Sequence, residues 1–424
     1  MNENKNITDE SNLVPLQVLE VNSPLELVRP LTEVGGRQII PAERLNSITE
    51  YYFSTKLKEV AEMNAKGLNV ISLGVGSPDL PPSKETVDAL CKSAAESNTH
   101  GYQPYVGIPE LRKAFADWYK KWFSVELNPA NEIQPLIGSK EGILHISLAF
   151  LNPGDGVLVP NPGYPTYSSV SNLVQATVLT YDLDENNNWQ PDFEAIEKMD
   201  LSNVKLMWVN YPNMPTGASA TPELFEKLVA FGKKHGIIIC NDNPYSFILN
   251  DNRLSILQVE GAKDICIELN SMSKSHNMPG WRMGMLASNA QFVQWILKVK
   301  SNIDSGQFKP MQMAAIAAMN NSDEWHREMN IELYKTRRNI AEEILKTLGC
   351  TFDEKQVGLF LWGKIPDSYK DSGELADKSL YEAKVFITPG FIFGDKGNRY
   401  IRLSLCANEK MLGEALERIK QLVP

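Results

Sequence analysis

Gly236–Phe247 reads GIIICNDNPYSF: four apolar residues, Ile237 to Cys240, run into Asn241 and Asp242, and a proline-containing turn follows. A run this short and this continuously apolar is the pattern of a strand buried on both faces. Just before it lies a helix marked at both ends. Thr221 is its N-cap, Pro222 sits in the first turn, Leu224, Phe225, Leu228 and Val229 form an apolar face, and Gly236 is the stop. The alternation extends in both directions, with GVLVP, ATVLTY and VKLMWVN before it and DICIEL and MGMLAS after it. Short apolar strands alternating with helices predict an α/β fold, with a mostly parallel sheet covered on both faces, and the ligands of such sheets gather at the carboxyl ends of the strands.

The flanks read differently. Residues 1 to about 40 are polar without a sustained period and are expected to be an N-terminal extension or arm. A helical pattern runs from Leu45 to Gly67, and NVISLG then reads as a strand. Val87, Leu90, Cys91 and Ala94 share one face of a helix over Ser83–Glu96, and another helix covers about Pro109–Lys121. From about Asn321 come a long helix ending at Gly349, strands near GLFLWG, KVFITP and YIRLSL, and a last helix from Glu409. The expected division is an extension (1–40), a segment packing with the small domain (41–75), a large domain (76–315) and a smaller α+β domain (316–424).

A chain of 424 residues can bury ample core, and 43% hydrophobic with 22% charged residues is ordinary for a globular protein. The net charge of -10 argues against nucleic acid or an anionic membrane as partner. No apolar run approaches the ~20 residues of a membrane span, and the N-terminus lacks a basic start followed by an apolar core, so a cytoplasmic location is expected. Cys91, Cys240, Cys266, Cys350 and Cys406 are scattered and never form C-x-x-C, which suits reduced core residues. The five histidines show no H-E-x-x-H spacing, and no metal is expected.

Five stretches at strand ends carry chemistry. In LIGSKEGIL a strand ends at Gly138 and a helix begins at Ser139 and Lys140, whose backbone N–H groups can form an anion pocket, although Gly-Ser turns of this kind are common. NPGYPTYSS puts Tyr164 and Tyr167 after a strand, able to stack on a flat ligand or simply to pack. VNYPNMPTG is explained mostly by turn chemistry. Asp242 is a carboxylate at the mouth of a buried strand, with Tyr245 close behind, and burying it without a partner is costly. SMSKSHNMPGWRMG, Ser271–Gly284, offers an amine, Lys274, beside the hydroxyls of Ser271 and Ser273 and the guanidinium of Arg282.

Together they ask for a ligand that is anionic at one end, flat, in need of a carboxylate and reactive toward an amine. Pyridoxal 5′-phosphate has these properties. The order and content of the stretches resemble the class I/II aminotransferases, the fold-type I pyridoxal-phosphate enzymes, from about Ala42 to the C-terminus, about nine-tenths of the chain. GSKEGI, KSNIDSGQF and PAERLNSITEYYF look most like the LL-diaminopimelate aminotransferase branch. The resemblance implies a large domain built on a mostly parallel, mixed seven-stranded sheet, with a smaller α+β domain.

By that resemblance Lys274 forms a Schiff base with the cofactor and then carries the proton from substrate Cα. Arg282 binds the phosphate, helped by Ser271, Ser273 and the backbone of Ser139 and Lys140. Asp242 pairs with the pyridine nitrogen, Tyr245 donates to the phenolic oxygen, and Tyr164 stacks on the ring. Arg402, in GNRYIRLSL, binds the substrate α-carboxylate, and Gly76 lies over it. Tyr102 reaches the phosphate of a neighbouring subunit, which implies a homodimer with shared sites. One position departs from the family: where P-x-N-P-T-G has asparagine, PNMPTG has Met214, whose thioether cannot donate to the phenolic oxygen, so the lysine imine is expected to hold its proton more tightly. The expected activity is ping-pong transfer of an amino group from an L-amino acid to a 2-oxo acid. A β-eliminating C–S lyase of the same fold is the alternative, and a cofactor-sensing DNA-binding regulator is disfavoured because the preceding 40 residues are not a basic helix-turn-helix.

Overall fold

Apolar runs become strands in the order the alternation predicts. The computed structural model describes residues 31–34, 37–47 and 52–422. The chain divides into two units, Met1–Asn46 and Ser47–Pro424. In the first, Leu31–Val34 pairs antiparallel with Arg37–Ile39, a hairpin that the polar pattern did not signal. The remainder of the expected arm lies outside the described residues.

In the second unit a seven-stranded sheet has the spatial order Ile133–Leu136, Gly284–Ala287, Cys266–Ser271, Ile238–Asp242, Val204–Val209, Gly156–Asn161 and Thr177–Asp182. Gly284–Ala287 runs antiparallel to both its neighbours, and the remaining pairs are parallel. Successive side chains of a strand point to opposite faces. Met207, Val209 and Ile239 therefore enter one buried cluster, while Leu206, Trp208 and Cys240 enter another on the opposite side. That is why these strands read as unbroken apolar runs.

Helix ends follow local chemistry. Thr221 Oγ1 accepts from Leu224 N at 3.2 Å, Pro222 opens the helix Pro222–His235, and Gly236 closes it at φ +67°. Ser83 caps Lys84–Ala94, and Pro109 opens Pro109–Phe123. The helix expected from Leu45 starts later: Glu43–Ser47 is a short 3₁₀ turn and the α-helix covers Tyr52–Ala65. NVISLG keeps only Ile71–Ser72 as strand.

KVFITP, read as one strand, divides in two. Val385–Phe386 pairs in parallel with Ile71–Ser72, whereas Thr388–Pro389 joins Tyr400–Ser404, which also pairs with Phe360–Lys364. Both halves are buried, so the apolar pattern could not mark the change of sheet. This arrangement ties the segment around Gly74 and Gly76 to the C-terminal sheet that carries Arg402.

Candidate active site

Five excursions of the chain leave the carboxyl edge of the large sheet, and each delivers a side chain to one place. Leu136 leads to Gly138 and the helix Ser139–Phe150; Asn161 leads to Tyr164; Val209 to Asn210; Asp242 ends its own strand; and Ser271 caps the short helix Met272–Ser275, which carries Lys274. They surround a cavity of about 420 Å³. Eleven of the twelve residues singled out from sequence line it: Gly76, Ser139, Lys140, Tyr164, Asp242, Tyr245, Ser271, Ser273, Lys274, Arg282 and Arg402. The exception is Tyr102, which lies on the surface at 95% exposure and is no part of this wall.

Two buried carboxylates on adjacent strands show what distinguishes the site. Glu268 accepts from Tyr119 Oη (3.0 Å), Asn241 Nδ2 (2.9 Å), Ser255 Oγ (2.7 Å) and the Ile256 backbone N–H (3.1 Å). Asp242, equally buried, accepts from Tyr167 Oη at 3.0 Å through Oδ2, while Oδ1 has no hydrogen-bond partner among the described residues. Burial pushes the Asp242 carboxyl up to about 6, against the opposing influence of the Tyr167 and Ser139 hydroxyls. Leaving a buried acceptor unmade is expensive, so Oδ1 marks a place where a donor from a ligand belongs.

Lys274 Nζ donates to Gly76 O at 2.5 Å. Burial lowers its pKa, and the positive charges of Arg402 and Arg282 lower it further, which favours the neutral, nucleophilic amine. Ser271 Oγ donates to Ser273 Oγ at 2.9 Å and accepts from the Ser273 backbone N–H at 3.2 Å, holding the turn around the lysine. Arg282, at φ +57°, donates to Pro279 O (3.0 Å) and Ile137 O (3.3 Å). Gly138, at φ +75°, lets this guanidinium reach the start of the helix Ser139–Phe150: a Cβ there would stand 2.2 Å from Arg282 Nη2. Exposed backbone N–H groups beside a guanidinium form an anion site.

At the opposite end, buried Arg402 donates to Gly74 O at 2.8 Å and to Met214 Sδ at 3.2 Å. Its guanidinium carbon lies 3.9 Å from the ring centre of Phe360 and 4.7 Å from that of Phe393. Gly76 is close-packed on Phe360, whose Cζ would lie 2.3 Å from an added Cβ. Tyr164 meets Tyr167 edge to face at 5.5 Å, and Tyr167 in turn stacks on Trp208 at 5.0 Å. Tyr245 meets Phe360 edge to face at 5.9 Å.

Tyr167 and Asn210 are the residues sequence reasoning passed over. Tyr167 stood in the quoted NPGYPTYSS stretch, but which of its two tyrosines would reach Asp242 depends on the turn before Thr166–Leu173. Asn210 accepts from the Met214 backbone N–H at 2.7 Å, bracing that turn. Asn213, the neighbour of Met214, turns away: Oδ1 accepts from Thr216 Oγ1 at 2.7 Å. A separate group, Glu141, His145 and Asp304, brings its ligand atoms within 4.8 Å of one another. The Lys300 ammonium already holds it together, 2.7 Å from both Glu141 and Asp304.

A family model described as aminotransferase class I and II matches residues 69–419. The chain is similar to the LL-diaminopimelate aminotransferase of Dehalococcoides mccartyi (strain BAV1), 42% identical over 380 residues covering 89% of this chain and 97% of that protein. It is likewise similar to that of Aquifex aeolicus, 43% identical over 383 residues, 90% of this chain and 98% of that protein. Among solved structures, apo-BacF from Bacillus subtilis superposes with a TM-score of 0.87 at 35% identity, covering 91% of this chain and 99% of that one.

Proposed function

Because this chain belongs to the class I and II aminotransferase family, we propose that it is a pyridoxal 5′-phosphate-dependent aminotransferase, moving an amino group from an L-amino acid to a 2-oxo acid in ping-pong fashion. The unsatisfied Asp242 Oδ1, set in the same cavity as a buried lysine whose pKa burial lowers, is the observation that carries this reading. A pyridinium N–H would supply the missing donor and hold Asp242 ionised. Arg282, Ser271, Ser273 and the backbone of Ser139 and Lys140 suit the phosphate. Tyr164 suits the ring face, and Tyr245 the phenolic oxygen. When bound, the cofactor supplies an electrophilic carbon and a ring that accepts the electron pair released at Cα.

The chain's own residues do the remainder. Arg402 orients the substrate by its α-carboxylate, with the Gly76 backbone beside it. Lys274 Nζ, its pKa lowered by burial and held close to Gly76 O, would take up the proton released at Cα and carry it onward. The aromatic walls exclude water around these charges and so strengthen their mutual interactions.

Residues 76–315 act as the large, cofactor-holding domain, and 316–424 with the segment 41–75 as the smaller one; pairing of Ile71–Ser72 with Val385–Phe386 favours this division. The enzyme works as a homodimer in which Tyr102 serves the site of a second copy, a reading favoured by the exposure of Tyr102 and nearby Tyr105. A cytoplasmic setting suits its five free cysteines; among the described residues no helix is long and apolar enough to cross a membrane. Borohydride reduction in the presence of pyridoxal phosphate, followed by peptide mass spectrometry, tests the assignment: the cofactor should be fixed to Lys274, and attachment elsewhere or nowhere would refute it.

A further inference from the structure

Lys274 stands on a helix of a single turn, Met272–Ser275, and a helix that short does not hold itself in water. Its ends must be fixed from outside. The first is closed locally, where Ser271 Oγ accepts from the Ser273 backbone N–H. The second is closed from far along the chain: the Ser275 carbonyl, one residue after Lys274, accepts from Asn330 Nδ2 at 2.9 Å. Ser275 and Asn330 are both fully buried, so losing this donor would leave a helix-end carbonyl without water or partner, at a cost.

Asn330 is itself held in one orientation. Its Nδ2 lies 2.8 Å from His326 Nδ1. Burial, reinforced by the charges of Arg253 and Lys121, pushes His326 down to about 3, so the ring is neutral and this nitrogen accepts. Both amide N–H bonds are then used. The Asn330 backbone carbonyl accepts from Leu249 N at 3.0 Å, and Tyr245 O accepts from Ile248 N in the same loop, also at 3.0 Å. One residue thus fastens the lysine turn and the loop that carries Tyr245. It does so from a π-helical stretch, Arg327–Glu332, between the helices Asp323–His326 and Leu333–Thr347. Such stretches are rare and occur mostly at functional sites.

We infer that Asn330 is a positioning residue for Lys274, fixing through the Ser275 carbonyl where the amine stands when it takes the proton from Cα. The inference rests on the reading of Lys274 as the group that moves that proton. Asn330 does not line the cavity, so it acts on the lysine and not on bound molecules. Its loss therefore leaves cofactor and substrate binding in place and slows proton transfer, a step in which a displacement of about 1 Å can cost about 100-fold.

Two variants test this: Asn330→Leu, similar in size but without donors, and Asn330→Asp, equal in shape but with an oxygen facing the Ser275 carbonyl. If the first does not fold, the second decides. In cofactor-free protein, hydrogen exchange at the His276 N–H, which closes the turn on Met272 O at 3.2 Å, should quicken at least about tenfold. In the holoenzyme kcat should fall at least about tenfold while KM and the cofactor Kd stay within about twofold, and the isotope effect of a Cα-deuterated donor should rise. Unchanged exchange at His276, or losses in KM and cofactor Kd as large as the loss in kcat, overturns the inference. If wild-type holoenzyme transfers no amino group from any donor, the aminotransferase reading falls. Exchange in cofactor-free protein then still decides whether Asn330 fixes the lysine turn: faster exchange upholds it and unchanged exchange overturns it.

Discussion

Met214 Sδ lies 3.2 Å from Arg402 Nη1, so the arginine proposed to hold the substrate carboxylate meets a soft, uncharged sulfur. Met214 is buried and lies on the cavity wall. Its thioether accepts weakly and donates nothing, and neighbouring Asn213 is engaged within its own turn. Met214→Asn restores a donor toward the cofactor's phenolic oxygen. The spectrophotometric pKa of the holoenzyme's visible band should then fall by roughly one unit, the scale of one net hydrogen bond. An unchanged titration would show that the position does not govern that proton.

Asp242 has a folded-state pKa of about 6, raised by burial above its ordinary value of 3.8. In cofactor-free protein a raised carboxyl pKa favours folding below the unfolded value, and that contribution is lost as pH rises through 6. The cost above pH 6 is about 3 kcal/mol. Asp242→Asn should therefore stabilise the cofactor-free protein at pH 8, with the gain vanishing near pH 4, and should weaken cofactor binding throughout. Denaturant unfolding at the two pH values checks the sign.

Tyr167 Oη donates to Asp242 Oδ2 while its ring stacks on Trp208. Tyr167→Phe keeps the stack and deletes the donor, so the carboxyl pKa should rise further. Because hydrogen bonds to charged groups contribute about 1.5–3 kcal/mol, cofactor affinity should fall by about 10- to 100-fold, measured by fluorescence titration.

Gly138 and Gly236 make a matched pair of positive-φ glycines. A Cβ at Gly138 meets Arg282, whereas at Gly236 it meets open space. Each alanine variant should lose about 1 kcal/mol from backbone strain. Only Gly138→Ala should also weaken cofactor binding, by about tenfold or more, because it displaces the guanidinium. Equal effects of the two on binding would contradict the anion-site assignment.

The large sheet was legible because both faces of its inner strands are buried, so Ile237–Cys240 and its counterparts read as continuous apolar runs between capped helices. The candidate site was legible where one residue type can serve few purposes, as with Lys274 after a buried strand or Arg402 inside one. Three features were not. Phe53, Phe360 and Phe393 are far apart in sequence, and only folding gathers them around Arg402. The division of KVFITP between two sheets leaves no trace in a pattern buried on both sides. Tyr167 and Tyr164 have equal chemistry, and only the turn geometry decides which meets Asp242.

The most direct test of the central claim is a single-turnover measurement on the holoenzyme with excess amino donor and no 2-oxo acid. An aminotransferase should release one equivalent of 2-oxo acid per subunit and then stop, with no ammonia formed, and added 2-oxo acid should restart it. Continuous release of 2-oxo acid and ammonia without an acceptor would contradict that account and identify an eliminating enzyme instead.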